Sequence, residues 1–297
     1  MVASPAPAPG AGRYVKAGVD DMAIRVLTDS TAYLPAEYLE RYGIKVVPLQ
    51  VTIAGEVFKE GQGYSNRQYY ARLREEKVFP TTSQPSAGDF VQAIESHPET
   101  DTIVGIFISS RLSGTVLSAQ VARDMLPGRT VVVLDSLSTG MGLGYQVLKA
   151  CEVAEAGGSL DDVLAAVAEV RERIRLMFVV DDLEYLVRGG RLSKAGQLLG
   201  NVLQIKPVLC VENGEIKVYD KVRTKHKALD TIVEEFVRRH REQAVQRVAV
   251  VHVDALAEAE RLRERVQAVF PGAVDMSELG PVIGSHVGPG ALGLIYY

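Results

Sequence analysis

The stretch Thr102-Ile103-Val104-Gly105-Ile106-Phe107-Ile108-Ser109-Ser110-Arg111-Leu112-Ser113-Gly114-Thr115 decides the fold. Its first half is a short β-branched and aromatic run, which reads as a strand over 102–108. Its second half is a hydroxyl- and glycine-rich turn. The amphipathic residues behind that turn predict a helix over 115–125, with Ser113 available as a cap. Strand, tight turn and helix in that order build a parallel α/β sheet, and the free N–H groups at such a helix start attract anions.

The same alternation recurs on both sides of this segment. Strands are predicted over 24–27, 44–51 and 130–134, and helices over 66–76, 88–96 and 142–156. Residues 22–172 therefore read as one doubly wound, mostly parallel α/β domain. Ser159-Leu160-Asp161-Asp162 caps a further helix running to Arg173, and the alternation then starts afresh with a strand over 176–180. The boundary is placed there, so residues 173–297 form a second α/β domain. Its strands are predicted over 207–211, 215–222, 248–253 and 290–295, with helices over 225–239 and 256–270. The Glu212-Asn213-Gly214 turn joins the first two strands as a hairpin, so this sheet is expected to be mixed. Residues 1–21, rich in Ala, Pro and Gly and without a continuous apolar core, are expected to form a disordered tail.

Composition narrows the partners. At 297 residues, 47% hydrophobic and 24% charged, the chain can bury two ordinary cores. A net charge of −4 argues against a nucleic-acid footprint, which is normally strongly basic. Cys151 and Cys210 make no close-spaced ligand pair, so neither a disulfide framework nor a thiolate metal site is indicated. No apolar run approaches the roughly 18 residues that span a bilayer. A cytoplasmic monomer is expected.

Four segments gather hydroxyls and glycines at predicted strand ends: Thr82-Ser83-Gln84-Pro85-Ser86, Ser109 to Thr115, Gly189-Gly190-Arg191-Leu192-Ser193 and Gly284-Ser285-His286-Val287-Gly288-Pro289-Gly290. They hold almost no carboxylate, cysteine or histidine. Such a site suits holding an anion or carbonyl by hydrogen bonds better than acid-base chemistry. Each segment alone has a plainer explanation: Ser113 as a helix cap, Thr82-Ser83 as a polar turn, His286 as a buried histidine in a glycine turn. Other candidate chemistries are thinner. His252-Val253-Asp254 lacks a third metal ligand and reads as a strand end. Gly140-Met141-Gly142-Leu143-Gly144 departs from the G-x-G-x-x-G dinucleotide spacing and reads as a strand-to-helix turn. No phosphate loop or G-x-S-x-G elbow occurs. The competing enzyme reading is a small-molecule hydrolase or transferase that uses Ser113 or His286.

Six motifs in order, Thr28-Asp29-Ser30-Thr31-Ala32, the Thr82, Ser109 and Gly189 segments, Lys206-Pro207 and His286-Val287-Gly288-Pro289-Gly290, resemble the DegV family from Ile24 to the C-terminus. The resemblance implies a two-domain α/β fold that encloses one long-chain fatty acid, of the palmitate or oleate class, between its domains. It implies no metal, no other cofactor and no catalytic residue in this chain. In bacteria with a fatty acid kinase, such proteins look like the acyl-carrying subunit that presents the carboxylate for phosphorylation, with transient membrane contact for lipid exchange. Carried over, the ligand-binding positions are Thr82, Ser83, Ser113, Gly114, Ser285 and His286, with the carboxylate contacts on Thr82 and Ser113. His286, beside Ser285, acts at one remove, through water or by orienting a neighbour. Tyr33 stands where the family more often has an acidic residue. Arg188, Arg191 and Lys194, with Lys206, are expected to form an outer basic edge that meets an acidic face of the kinase.

Overall fold

The computed structural model describes residues 23–76, 78–192 and 205–297. The tail expected over 1–21 and the partner residue Lys194 lie outside the described residues. In the first half, β1 (Ile24–Asp29), β2 (Lys45–Val47), β6 (Thr102–Phe107) and β7 (Val131–Asp135) pair in parallel in the order β2-β1-β6-β7. Helices Ala87–Glu95 and Thr115–Asp124 cover one face through Phe90 and Val116, and helices Met141–Glu155 and Leu160–Arg173 cover the other through Leu143 and Val163. With both faces covered, β6 is buried at every residue.

The sheet changes direction between β1 and β6, and ligands of such sheets bind beyond the carboxyl ends of the strands at that point. Here the fully buried Asp29 ties the two ends together. Its Oδ1 accepts from the Thr31 N–H at 2.9 Å and the Thr31 hydroxyl at 2.6 Å, while Oδ2 accepts from the Ile108 N–H at 2.7 Å.

The single strand expected over 44–51 is two strands in different sheets. Pro48, which has no N–H to donate, follows β2 directly. Beyond it β3 (Gln50–Ile53), β4 (Glu56–Lys59) and β5 (Thr81–Ser83) make a small antiparallel sheet in the order β4-β3-β5. Ala54 and Gly55, both at positive φ (48° and 81°), form the tight turn between β3 and β4. Thr82 thus stands on a strand edge and not in a loose turn.

The second half forms a mixed six-stranded sheet in the order β10-β9-β8-β13-β11-β12: Glu215–Val222, Lys206–Glu212, Arg175–Val179, Leu292–Tyr296, Val248–His252 and Val274–Glu278. The expected hairpin is present, with Asn213 and Gly214 at φ 52° and 79°. Helix Lys225–Gln243 packs Ala228, Ile232 and Phe236 onto one face. The opposite face presents a cross-strand row of Val251, Gly293, Phe178 and Leu209 toward the first half of the chain. Gly293 leaves that row without a side chain at its centre. A Cβ there would come within 2.4 Å of the Met177 carbonyl oxygen, so the bare spot is built into the strand.

Candidate functional site

Between that sheet face and the first half of the chain runs a cavity with about 780 Å³ of space between atoms, its open mouth included. Only about 80 Å³ is wide enough to seat the centre of a water molecule, so the space is a narrow slot. Its wall is apolar over most of its length, with Leu49, Ile108, Phe178, Val251, Val282 and Ile283 among its lining residues. The polar groups on the wall are Thr82, Ser113, Thr139, Arg191 and His286.

Four of these converge from four separate segments. Thr82 comes from β5, and Ser113 from the turn after β6. His286 comes from helix Pro281–Val287, and Arg191 from the turn after helix Glu184–Arg188. Thr82 Oγ1 lies 2.8 Å from His286 Nε2. Ser113 Oγ lies 2.8 Å from Thr115 Oγ1. Arg191 Nε donates to the Leu112 carbonyl at 3.1 Å, next to Ser113. Burial, with the Arg191 guanidinium nearby, pulls the His286 imidazole down to about 4. The ring is therefore neutral at pH 7, and its buried Nδ1 has no hydrogen-bond partner.

The placement of Arg191 differs from the expected outer edge. Gly190 adopts φ 71°, and the Arg191 N–H bonds back to the Leu186 carbonyl at 3.1 Å. This tight reversal turns the guanidinium to the cavity wall, where it is half-buried and has no carboxylate partner among the described residues. The head of the cavity thus carries one cation as well as alcohols. Arg188 stays outside, bonded to Glu184 at 2.7 Å and stacked 4.1 Å over the Phe79 ring. Lys206 donates to the Asp181 carbonyl at 2.7 Å.

Ser83, Gly114 and Ser285 do not line the cavity. Ser83 is exposed. Gly114 packs against the Gln84 side chain, which a Cβ would meet at 2.5 Å. Ser285 is buried, donates to the Pro281 carbonyl at 2.6 Å and lies 2.8 Å from the Tyr69 hydroxyl. It ties the His286 helix to helix Asn66–Glu76. His252 ends its strand, as expected, and the described residues contain no group of three or more metal-ligating side chains. Gly140, at φ 56°, is the strand-to-helix turn ahead of Met141–Glu155.

Glu60 and Tyr33 hold the same helix from its other end, a support that no motif pointed to. Glu60 Oε1 accepts from the Val282 N–H at 2.7 Å and the Tyr33 hydroxyl at 2.9 Å, and Oε2 is buried with no partner. Burial pushes the Glu60 carboxyl up to about 7. The Tyr33 hydroxyl in turn accepts from the Ile283 N–H at 3.2 Å. Thr139, a further lining residue, was also not foreseen; its hydroxyl is buried and unpartnered.

Known proteins share this chain's sequence and architecture. A DegV domain-containing protein of Listeria monocytogenes is 39% identical over 276 residues, covering 92% of this chain and 98% of that protein. The crystal structure of DegV from Bacillus subtilis, described as a fatty acid binding protein, matches with a TM-score of 0.86 and 36% identity. That match covers 93% of this chain and 99% of the other. A DegV family protein from Thermus thermophilus, described by its fatty acid binding, matches with a TM-score of 0.85 and 36% identity over the same shares. The family model for uncharacterised proteins of the DegV family matches residues 23–297, and the chain belongs to the DegV family.

Proposed function

We propose that this protein binds one long-chain fatty acid, with the carboxylate at the Thr82, Ser113, His286 and Arg191 cluster and the alkyl chain in the apolar slot. The observation that carries this reading is the distribution of polarity: a wall of aliphatic and aromatic side chains, with a cation and two hydroxyls gathered at one end. The fatty acid binding described for the Bacillus subtilis and Thermus thermophilus proteins supports it.

The division of labour follows from magnitudes. Burying about 14 methylenes at about 0.8 kcal/mol each contributes on the order of 11 kcal/mol, against an association cost of about 4 to 15 kcal/mol. The chain supplies most of the affinity. Each hydrogen bond to the carboxylate adds about 1.5 to 3 kcal/mol and fixes where the head group sits. In the neutral tautomer that carries its proton on Nε2, His286 donates to Thr82 Oγ1, and the threonine proton is then free to donate to the ligand. Arg191 adds charge complementarity that a purely alcoholic site would lack.

The protein is non-catalytic in this reading. Ser113 is engaged with Thr115 and His286 with Thr82, so the serine and histidine do not form the pair that a hydrolase nucleophile needs. The protein works in the cytoplasm as a monomer, touching membranes transiently for lipid exchange. It presents the carboxylate to a separate fatty acid kinase, with Arg188 and the exposed Val187 as partner contacts. No helix among the described residues is long and apolar enough to cross a membrane. Organic extraction of protein purified from cells, followed by identification of the lipid, tests the reading. One straight-chain acid per protein chain is expected, and its absence would overturn the proposal.

A further inference from the structure

We propose that the Leu176–Val211 pair is the wall that closes the far end of the slot and sets the longest acyl chain the protein accepts; this rests on the fatty-acid reading above. The head-group cluster lies beyond the carboxyl end of β8, because the segment that follows this strand carries Arg191. His286 packs on the same segment: a Cβ on Gly189 would meet His286 Nδ1 at 2.5 Å. Leu176 stands near the opposite end of β8. At about 3.3 Å per residue it lies roughly 13 Å along the strand from Val180. Leu176 pairs directly with Val211 on β9, and Val211 pairs with Ile216 on β10; all three line the slot.

Behind the pair lies a second cavity with about 1270 Å³ of space between atoms, its open mouth included, bordered by Arg171, Arg175, Tyr219 and Arg239. Leu176 and Val211 line both spaces, so the partition is one side chain thick. A methyl terminus advancing along the slot meets this pair. Leu176 is 6% exposed and belongs to the core cluster, so pushing it aside costs packing contacts. Past the pair the surroundings are charged, and further methylenes would gain little from burial there.

The test loads the full chain with equimolar hexadecanoate and docosanoate and weighs the bound species by native mass spectrometry. In Leu176→Ala and in Val211→Ala the ratio of docosanoate to hexadecanoate rises about tenfold over the unaltered protein, the worth of about two buried methylenes. Met177→Ala leaves the ratio unchanged, because Met177 belongs to the core on the other face of the sheet. Where an alanine variant does not fold, Val211→Phe gives the reverse test. Added bulk at the wall shifts the preference about tenfold from hexadecanoate toward dodecanoate. An unchanged ratio in folded wall variants that still bind acid overturns the wall assignment. Unaltered protein that takes up no fatty acid overturns the fatty-acid reading beneath it.

Discussion

Replacing Thr82 with valine removes one hydroxyl and keeps the branched shape, so it isolates the contribution of a single group. Two effects follow from the 2.8 Å contact between Thr82 Oγ1 and His286 Nε2. In the ligand-free protein, His286 Nε2 loses its partner while Nδ1 is already unpartnered, so the buried ring makes no side-chain hydrogen bond. An orphaned buried polar group costs about 1 to 3 kcal/mol, a fall in Tm of roughly 2 to 10 °C for a chain of this size. In the complex the carboxylate loses a charge-assisted bond worth about 1.5 to 3 kcal/mol, which weakens binding about 10- to 150-fold. Thermal unfolding measures the first effect, and displacement of a fluorescent fatty acid measures the second. A Thr82→Val protein with unchanged Tm and an affinity within twofold of the parent would refute the reasoning, since neither the histidine nor the ligand would then depend on the hydroxyl.

Charge at the head of the slot gives the next prediction: Arg191→Glu lowers fatty-acid affinity by tenfold or more, while Arg188→Glu leaves it unchanged. Titration by displacement checks both, and equal effects would remove Arg191 from the ligand site. Glu60, with its carboxyl raised to about 7, is held protonated by the fold, so its contribution to stability falls as pH rises from about 4.5 through 7. Glu60→Gln lacks that titration and should gain on the order of 3 kcal/mol relative to the parent between about pH 4 and 8, read from denaturant unfolding at each pH. His286 acts in the opposite direction: its depressed value favours the neutral ring, and stability is lost as pH falls from about 6.5 through 4. A parallel pH profile for Glu60→Gln and parent would contradict the Glu60 assignment. Gly293→Ala places a Cβ 2.4 Å from the Met177 carbonyl oxygen, and the variant is expected to lose several kcal/mol of stability or fail to fold.

Most strands of the two large sheets were legible because they are long enough to show a pattern. β6 is apolar from Ile103 to Phe107 and β11 from Val248 to Val251, and the Asn213-Gly214 turn is chemically specific. The small antiparallel sheet was not legible. β5 is Thr-Thr-Ser, three polar residues with no periodicity, and β3 continues a β-branched stretch that hid the break at Pro48. Pro48 was the available signal, since proline interrupts a ladder. β12, Val-Asp-Met-Ser-Glu, alternates as an edge strand should and could have been found by its period of two. Helix Pro281–Val287 announced itself by proline at its first position, but its glycines favoured a turn.

Thr82, Ser113 and His286 stand in motifs whose residue types match their surroundings. Arg191 was misplaced because its direction depends on the Gly190 backbone, which reverses the chain over two residues. Glu60 was invisible for a different reason: glutamate is almost always exposed, and nothing in the sequence around it marks burial.

Native mass spectrometry of the intact protein purified from cells tests the central claim most directly. The account predicts a mass exceeding that of the chain by a few hundred daltons, lost on collisional activation as a single long-chain fatty acid. The bare chain mass, together with turnover of an ester substrate that depends on Ser113, would contradict it.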